Sequence, residues 1–151
     1  MPAGFLETVV DKFTFRVATD RRYSPEGVWV QDLGSGRVRV GVTDFVQQHS
    51  GDVAFATVRP VGTAFSAGDE FADLETVKVN LALTLPITGS IVELNPALEG
   101  QPELVNQDPY GEGWLAVLRV AAGEIDRAAL LEPLAYLSLV ESRAREEVGR
   151  P

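Results

Sequence analysis

Residues 23–42 read YSPEGVWVQDLGSGRVRVGV, and this stretch decides the fold. Val28 and Val30 point to one side of an extended segment. Gly34-Ser35-Gly36 then supplies the backbone freedom of a tight reversal. Val38, Val40 and Val42 follow, alternating with Arg37, Arg39 and Gly41, the period-2 mark of a half-buried strand. The same rhythm runs outward to about Val120, with extended segments over 53–58, 71–77, 79–85, 87–94 and 114–120. Turn clusters separate them: Arg59-Pro60-Val61-Gly62, Ser66-Ala67-Gly68-Asp69, Thr88-Gly89-Ser90 and Asp108-Pro109-Tyr110-Gly111. Many short strands without intervening helices predict a mainly β fold, a sandwich or barrel.

Two stretches depart from that rhythm. Thr43 is placed to cap a short internal helix over 44–48, ended by Gly51. Beyond Gly123 the period becomes 3.6, with Asp126 the candidate N-cap of a C-terminal helix. Leu134, Leu137, Val140, Ala144 and Val148 form its apolar stripe, and Glu141/Arg145 and Arg143/Glu147 pair on its wet side. The stripe is expected to pack back on the β body, with dimerisation through it as the alternative. The chain divides into an N-terminal arm (1–22), a β body (23–120) and a C-terminal helical region (123–151), read as a single domain. A faint echo between 61–75 and 87–105 suggests two similar halves of a quasi-twofold sandwich. The joint between them, Glu75-Thr76-Val77-Lys78-Val79-Asn80, would be an exposed hairpin tip.

Composition narrows the function. At 151 residues, 45% hydrophobic and 23% charged, the chain is long enough for a core without staples. The absence of cysteine excludes a disulfide framework, a thiol nucleophile and every Cys-based metal site. A formal charge of −9 argues against nucleic-acid and anionic-membrane partners and for partners with basic faces. No basic-then-apolar leader is present and no apolar run is long enough to span a bilayer, so a soluble cytoplasmic protein is expected.

The basic residues are unequal. Of 13, 11 are arginine, and Lys12 and Lys78 are the only lysines. An amine can be acylated where a guanidinium cannot, so a lysine at a hairpin tip in an arginine-biased chain is a sensible attachment point. The plain alternative is a gatekeeper charge on an edge strand. His49, the one histidine, fits a helix C-terminus. Asp69, Glu70, Asp73 and Glu75 read as a solvated face or a docking surface for a basic enzyme. Trp29 and Trp114 read as core anchors. Phosphate-loop, dinucleotide and EF-hand spacings are absent.

A run of motifs then carries a resemblance. Gly41-Val42-Thr43-Asp44-Phe45 with Gly51-Asp52, Glu75-Thr76-Val77-Lys78, Pro86-Ile87-Thr88-Gly89, Asn95 with Leu98, Pro102-Glu103-Leu104-Val105-Asn106 and Asp108-Pro109-Tyr110-Gly111-Glu112-Gly113-Trp114 stand in order. In this the chain resembles the glycine cleavage H-protein family of lipoyl carriers. The resemblance implies a lipoyl-domain-like barrel-sandwich hybrid with lipoate covalently attached to Lys78. Glu75, Thr76, Val77 and Val79 would shape the hairpin that the modifying enzyme reads. That enzyme would be a lipoate ligase, or an octanoyltransferase followed by a lipoyl synthase. The chain would then be no enzyme itself, and its cofactor would act as a swinging arm between enzymes.

The departures shape the expected pathway. The family's Tyr-x-x-x-His-Glu-Trp stands here as Tyr23 to Trp29 with Gly27 and Val28 in place of the two polar residues, near the groove that shelters the loaded arm. Thr57-Val58-Arg59-Pro60 also differs from the usual Leu-Pro-Glu. These changes lean the reading toward the H-like lipoate-binding proteins of sulfur oxidation, partnered by a heterodisulfide-reductase-like complex. The alternatives are the aminomethyl carrier acting with the glycine cleavage P, T and L proteins, and an unmodified β-sandwich interaction module. A biotin carrier is disfavoured because no methionine flanks Lys78.

Overall fold

The computed structural model describes residues 4–149, so residues 1–3 of the arm and 150–151 of the C-terminal region lie outside the described residues. In chain order the elements are β1 (Phe5–Val10), β2 (Phe13–Ala18), β3 (Arg22–Tyr23), β4 (Val28–Gly34), β5 (Arg37–Val42), α1 (Asp44–Ser50), β6 (Val53–Val58), β7 (Ala64–Phe65), β8 (Glu70–Thr76) and β9 (Asn80–Thr84). Then come β10 (Gly89–Leu94), the single turns α2 (Ala97–Gly100) and α3 (Leu104–Gln107), β11 (Ala116–Val120), the single turn α4 (Glu124–Arg127) and the long α5 (Pro133–Val148). The fold is mainly β, as the alternation predicts, with the short internal helix capped by the Thr43 side chain on Val46 N–H.

A six-stranded sheet in the order β3-β4-β5-β11-β10-β7 faces a three-stranded sheet, β6-β8-β9. Val38, Val40 and Val42 of β5, Leu118 of β11 and Ile91 of β10 meet Phe71, Leu74 and Leu83 of β8 and β9 in one core. Each such buried side chain contributes roughly 1.5–3 kcal/mol. The Gly34-Ser35-Gly36 reversal takes positive φ at all three residues (83°, 55° and 76°), matching the twist of the strands it joins.

The region expected to be an arm is a hairpin, β1 paired with β2 through a turn in which Asp11 has φ 58°. It and α5 enclose a second core of Val10, Phe15, Val17, Tyr23, Trp29, Phe45, Tyr136, Val140 and Ala144. Tyr136 stacks on Tyr23 with centroids 4.6 Å apart and shares a 2.7 Å hydrogen bond with the Thr43 hydroxyl. Burial pushes the Tyr136 phenol up to about 12, with Thr43 pulling partly back.

Several expectations need correction. Asp126 does not cap the C-terminal helix. It lies within α4 and pairs with Arg22 at 2.9 Å, whereas α5 starts at Pro133, whose fixed φ and missing N–H suit a first helical position. Tyr23 and Leu131 exchange backbone hydrogen bonds of 2.9 and 2.7 Å, holding the chain extended just before that start. The helix is therefore phased so that Tyr136, Val140 and Ala144 are buried, while Leu134 and Val148 of the expected stripe are exposed. Glu141 and Arg145 pair at 2.8 Å as expected. Arg143 and Glu147 do not: Arg143 donates to the Pro25 carbonyl, and Glu147 meets His49. Trp29 is a core anchor with its Nε1 donating to the Pro109 carbonyl at 3.0 Å. Trp114 is only half-buried, beneath the Arg39 guanidinium. The echo of two halves breaks at α2 and α3, where 97–107 forms helical turns that 61–75 lacks. Among the described residues, no helix is long and apolar enough to cross a membrane.

Candidate functional site

Lys78 stands at the reversal between β8 and β9. Thr76, at the end of β8, sets that reversal from its side chain. Its Oγ1 accepts from Lys78 N–H at 3.1 Å and Val79 N–H at 2.9 Å, and donates to the Ser50 carbonyl at 2.8 Å. Thr76 N–H donates to the Val79 carbonyl at 2.8 Å, and Val77 N–H donates to Asp52 at 3.1 Å. The turn is thus docked on the segment leaving α1. Asn106 of α3 fixes that segment in turn, accepting from Val53 N–H and donating to the Gly51 carbonyl, both at 2.9 Å.

The outcome is an ordered turn with an exposed amine. Lys78 is exposed and flanked by Val77 and Val79, 76% and 45% exposed. Its Nζ lies 3.3 Å from the His49 carbonyl at the end of α1 and forms no ion pair among the described residues. Gly51 has φ +85°, and a Cβ there would stand 3.1 Å from Lys78 Cδ, so glycine leaves room for the aliphatic part of the lysine.

The other residues singled out in the sequence fall into two groups. Glu75, opposite Asn80, projects with Asp73 and the exposed Phe55 on the outer side of the three-stranded sheet. Asp69 and Glu70 are occupied locally, Asp69 accepting from Ser66 N–H at 2.9 Å and Glu70 lying 3.7 Å from Arg59. His49 does end α1, and it also carries the 2.7 Å contact to Glu147 and packs against Phe45.

Beside the turn runs a groove of about 290 Å³ lined by Glu26, Val28, Phe45, Leu81, Ala82 and Leu83 among others. Its walls come from segments far apart in the chain, and sequence reasoning missed it as a unit. The Gly27 departure has a packing cause: at φ +97°, a Cβ would stand 2.3 Å from Val46 Cγ2 and 3.1 Å from the Tyr136 hydroxyl. The space a side chain would occupy there is filled by α1 and α5.

The comparisons agree with this architecture. The family model described as Glycine cleavage H-protein matches residues 21–143. The glycine cleavage system H protein of Mycolicibacterium smegmatis is 44% identical over 126 residues, 82% of this chain and 96% of that protein. The one from Enterobacter sp. strain 638 is 41% identical over 126 residues, 83% and 97% of the two chains. The crystal structure of a glycine cleavage system H protein from Mycobacterium marinum superposes with a TM-score of 0.69 at 31% identity, covering 80% of this chain and 95% of that one. Motif order, sheet topology and the docked lysine turn are thus accounted for together: the chain belongs to the glycine cleavage H-protein family.

Proposed function

We propose that the chain is the lipoyl carrier of a glycine cleavage system, with lipoate amide-linked to Lys78. The observation that carries this is the Lys78 amine, exposed and without an ion pair among the described residues, on a turn whose shape Thr76 holds. An acylating enzyme needs an amine it can approach from outside and a turn it can recognise. Val77 and Val79 offer apolar contact on both sides, and Glu75 a negative charge three residues before the target. Thr76 acts as a positioning residue rather than as contact surface, since it is buried. Once acylated, the nitrogen keeps an N–H that can donate to the His49 carbonyl. The cofactor supplies a disulfide able to take up and pass on a carbon fragment and electrons. The chain contributes the tether, the groove and the docking surface, and acts as a carrier rather than a catalyst. Within the groove, Glu26 is the one carboxylate among the lining residues and is suited to a cationic amine, while Val28, Leu81 and Leu83 exclude water.

The lean toward sulfur oxidation drawn from Gly27 and Val28 is not supported. The matching relatives described above are glycine cleavage H proteins, and Gly27 is explained by packing against Val46 and Tyr136. The partners proposed are the glycine cleavage P, T and L proteins, with a lipoate ligase, or an octanoyltransferase and lipoyl synthase, installing the arm. Reconstitution tests the pathway. Fully lipoylated chain mixed with the P, T and L proteins is expected to support glycine-dependent release of carbon dioxide. Full lipoylation without turnover would overturn the glycine cleavage assignment and leave the carrier assignment standing.

A further inference from the structure

The family match begins at residue 21 and ends at residue 143, yet chain outside both limits folds back to the attachment lysine. Phe13 and Phe15 from the β1–β2 hairpin, Phe45, Gln48 and His49 from α1, and Glu147 from the last turn of α5 line one depression of about 150 Å³, with Lys78 itself as part of its wall. The rings form a continuous track. His49 and Phe45 are 5.7 Å apart by centroid, Phe45 and Phe15 5.4 Å, and Phe15 and Phe13 6.3 Å. Glu147 closes one side through its 2.7 Å contact with His49. Phe13 remains 45% exposed although it opens a strand that buries Phe15 and Val17. Phe45 and His49 also line the groove described above, so the two depressions meet at these residues.

Resting on the lipoyl reading of Lys78, we propose that this aromatic depression is a second seat for the acylated arm, completed by Phe13, Phe15 and Glu147 from segments outside the family match. Acylation makes the arm uncharged, and its methylenes and sulfur ring are the kind of soft apolar group that packs against aromatic edges. Because Lys78 already forms part of the wall, the arm reaches the rings by folding back along the track. Phe13 is the specificity-determining residue of the seat, and the Glu147–His49 contact keeps α5 in place beside it. A seated arm is withdrawn from partner enzymes and from small reagents, and only the unseated fraction reacts.

The test uses lipoylated full-length protein. A water-soluble phosphine reduces the arm, the freed thiols are alkylated, and intact mass follows the rate. Phe13→Ser is expected to raise that rate roughly three- to tenfold, in proportion to the unseated population. Phe55→Ser, which removes an exposed ring from the outer side of the β6-β8-β9 sheet and outside the depression, is expected to leave it unchanged. In the unsubstituted protein, nuclear Overhauser contacts between the arm's methylene protons and the Phe13 ring are expected, a readout independent of any folding defect in the variant. Lipoylated protein with equal rates in all three forms and no such contacts overturns the seat while leaving the carrier reading intact. Protein that never acquires a lipoyl increment overturns both.

Discussion

Two hairpin turns project from the β body, and they are built by opposite means. The β4–β5 turn relies on conformational freedom: Gly34, Ser35 and Gly36 all take positive φ, and nothing lies within 4 Å of a Cβ placed on Gly34. The β8–β9 turn contains no glycine, and none of Val77, Lys78 and Val79 has positive φ. Its shape comes from the Thr76 hydroxyl and from bonds to Ser50 and Asp52 on a neighbouring segment. A turn that only reverses the chain can be left to local preference. The β8–β9 turn, proposed above to present its amine to another enzyme, is held by tertiary contacts, which fix where the side chain emerges.

This contrast can be broken by moving the lysine. Lys78→Arg combined with Ser35→Lys keeps an exposed amine on a hairpin turn, and complete loss of lipoylation is expected in co-expression with a lipoylating system, read by intact mass. Stability should change by no more than about 0.5 kcal/mol for Lys78→Arg alone, since the side chain is exposed. Next in size is Thr76→Val, which removes the hydroxyl serving three partners. A stability loss of about 1–3 kcal/mol in urea melts is expected, together with roughly tenfold slower lipoylation by purified ligase as the turn loosens. Gly51→Ala imposes a Cβ at φ +85° beneath the lysine stem, with an expected cost of about 1 kcal/mol and a smaller slowing of modification. The smallest effect belongs to the other turn. Ser35→Gly relieves a left-handed residue at φ 55° and is expected to stabilise by roughly 0.5 kcal/mol, with lipoylation unchanged. Slower lipoylation in Ser35→Gly would erase the distinction between the turns.

The same contrast explains what was legible in the sequence. The strands of 28–42 could be read because each valine's side is dictated by its neighbours two positions away, and the Gly34–Gly36 turn because its signal is local. Lys78 could be found from the arginine bias and the Glu75-Thr76-Val77-Lys78 motif. The buttressing of that turn could not, because Ser50, Asp52 and Asn106 approach it only in the folded chain. The phase of α5 is not legible locally, because Leu134 and Val148 look apolar in isolation, whereas Pro133 and the Tyr136–Tyr23 stack determine which face turns inward. The N-terminal hairpin was hidden by its turn, Asp11-Lys12, which lacks the glycine of a strong signal. The Glu147–His49 contact joins residues 98 positions apart and leaves no local mark.

Peptide-level mass spectrometry on the native chain, purified from cells able to make lipoate, bears on the central claim most directly. The account predicts one lipoyl increment, on the peptide containing Lys78, and none on the peptide containing Lys12. An unmodified Lys78 under conditions that lipoylate a known carrier, or an increment placed on Lys12, would contradict it.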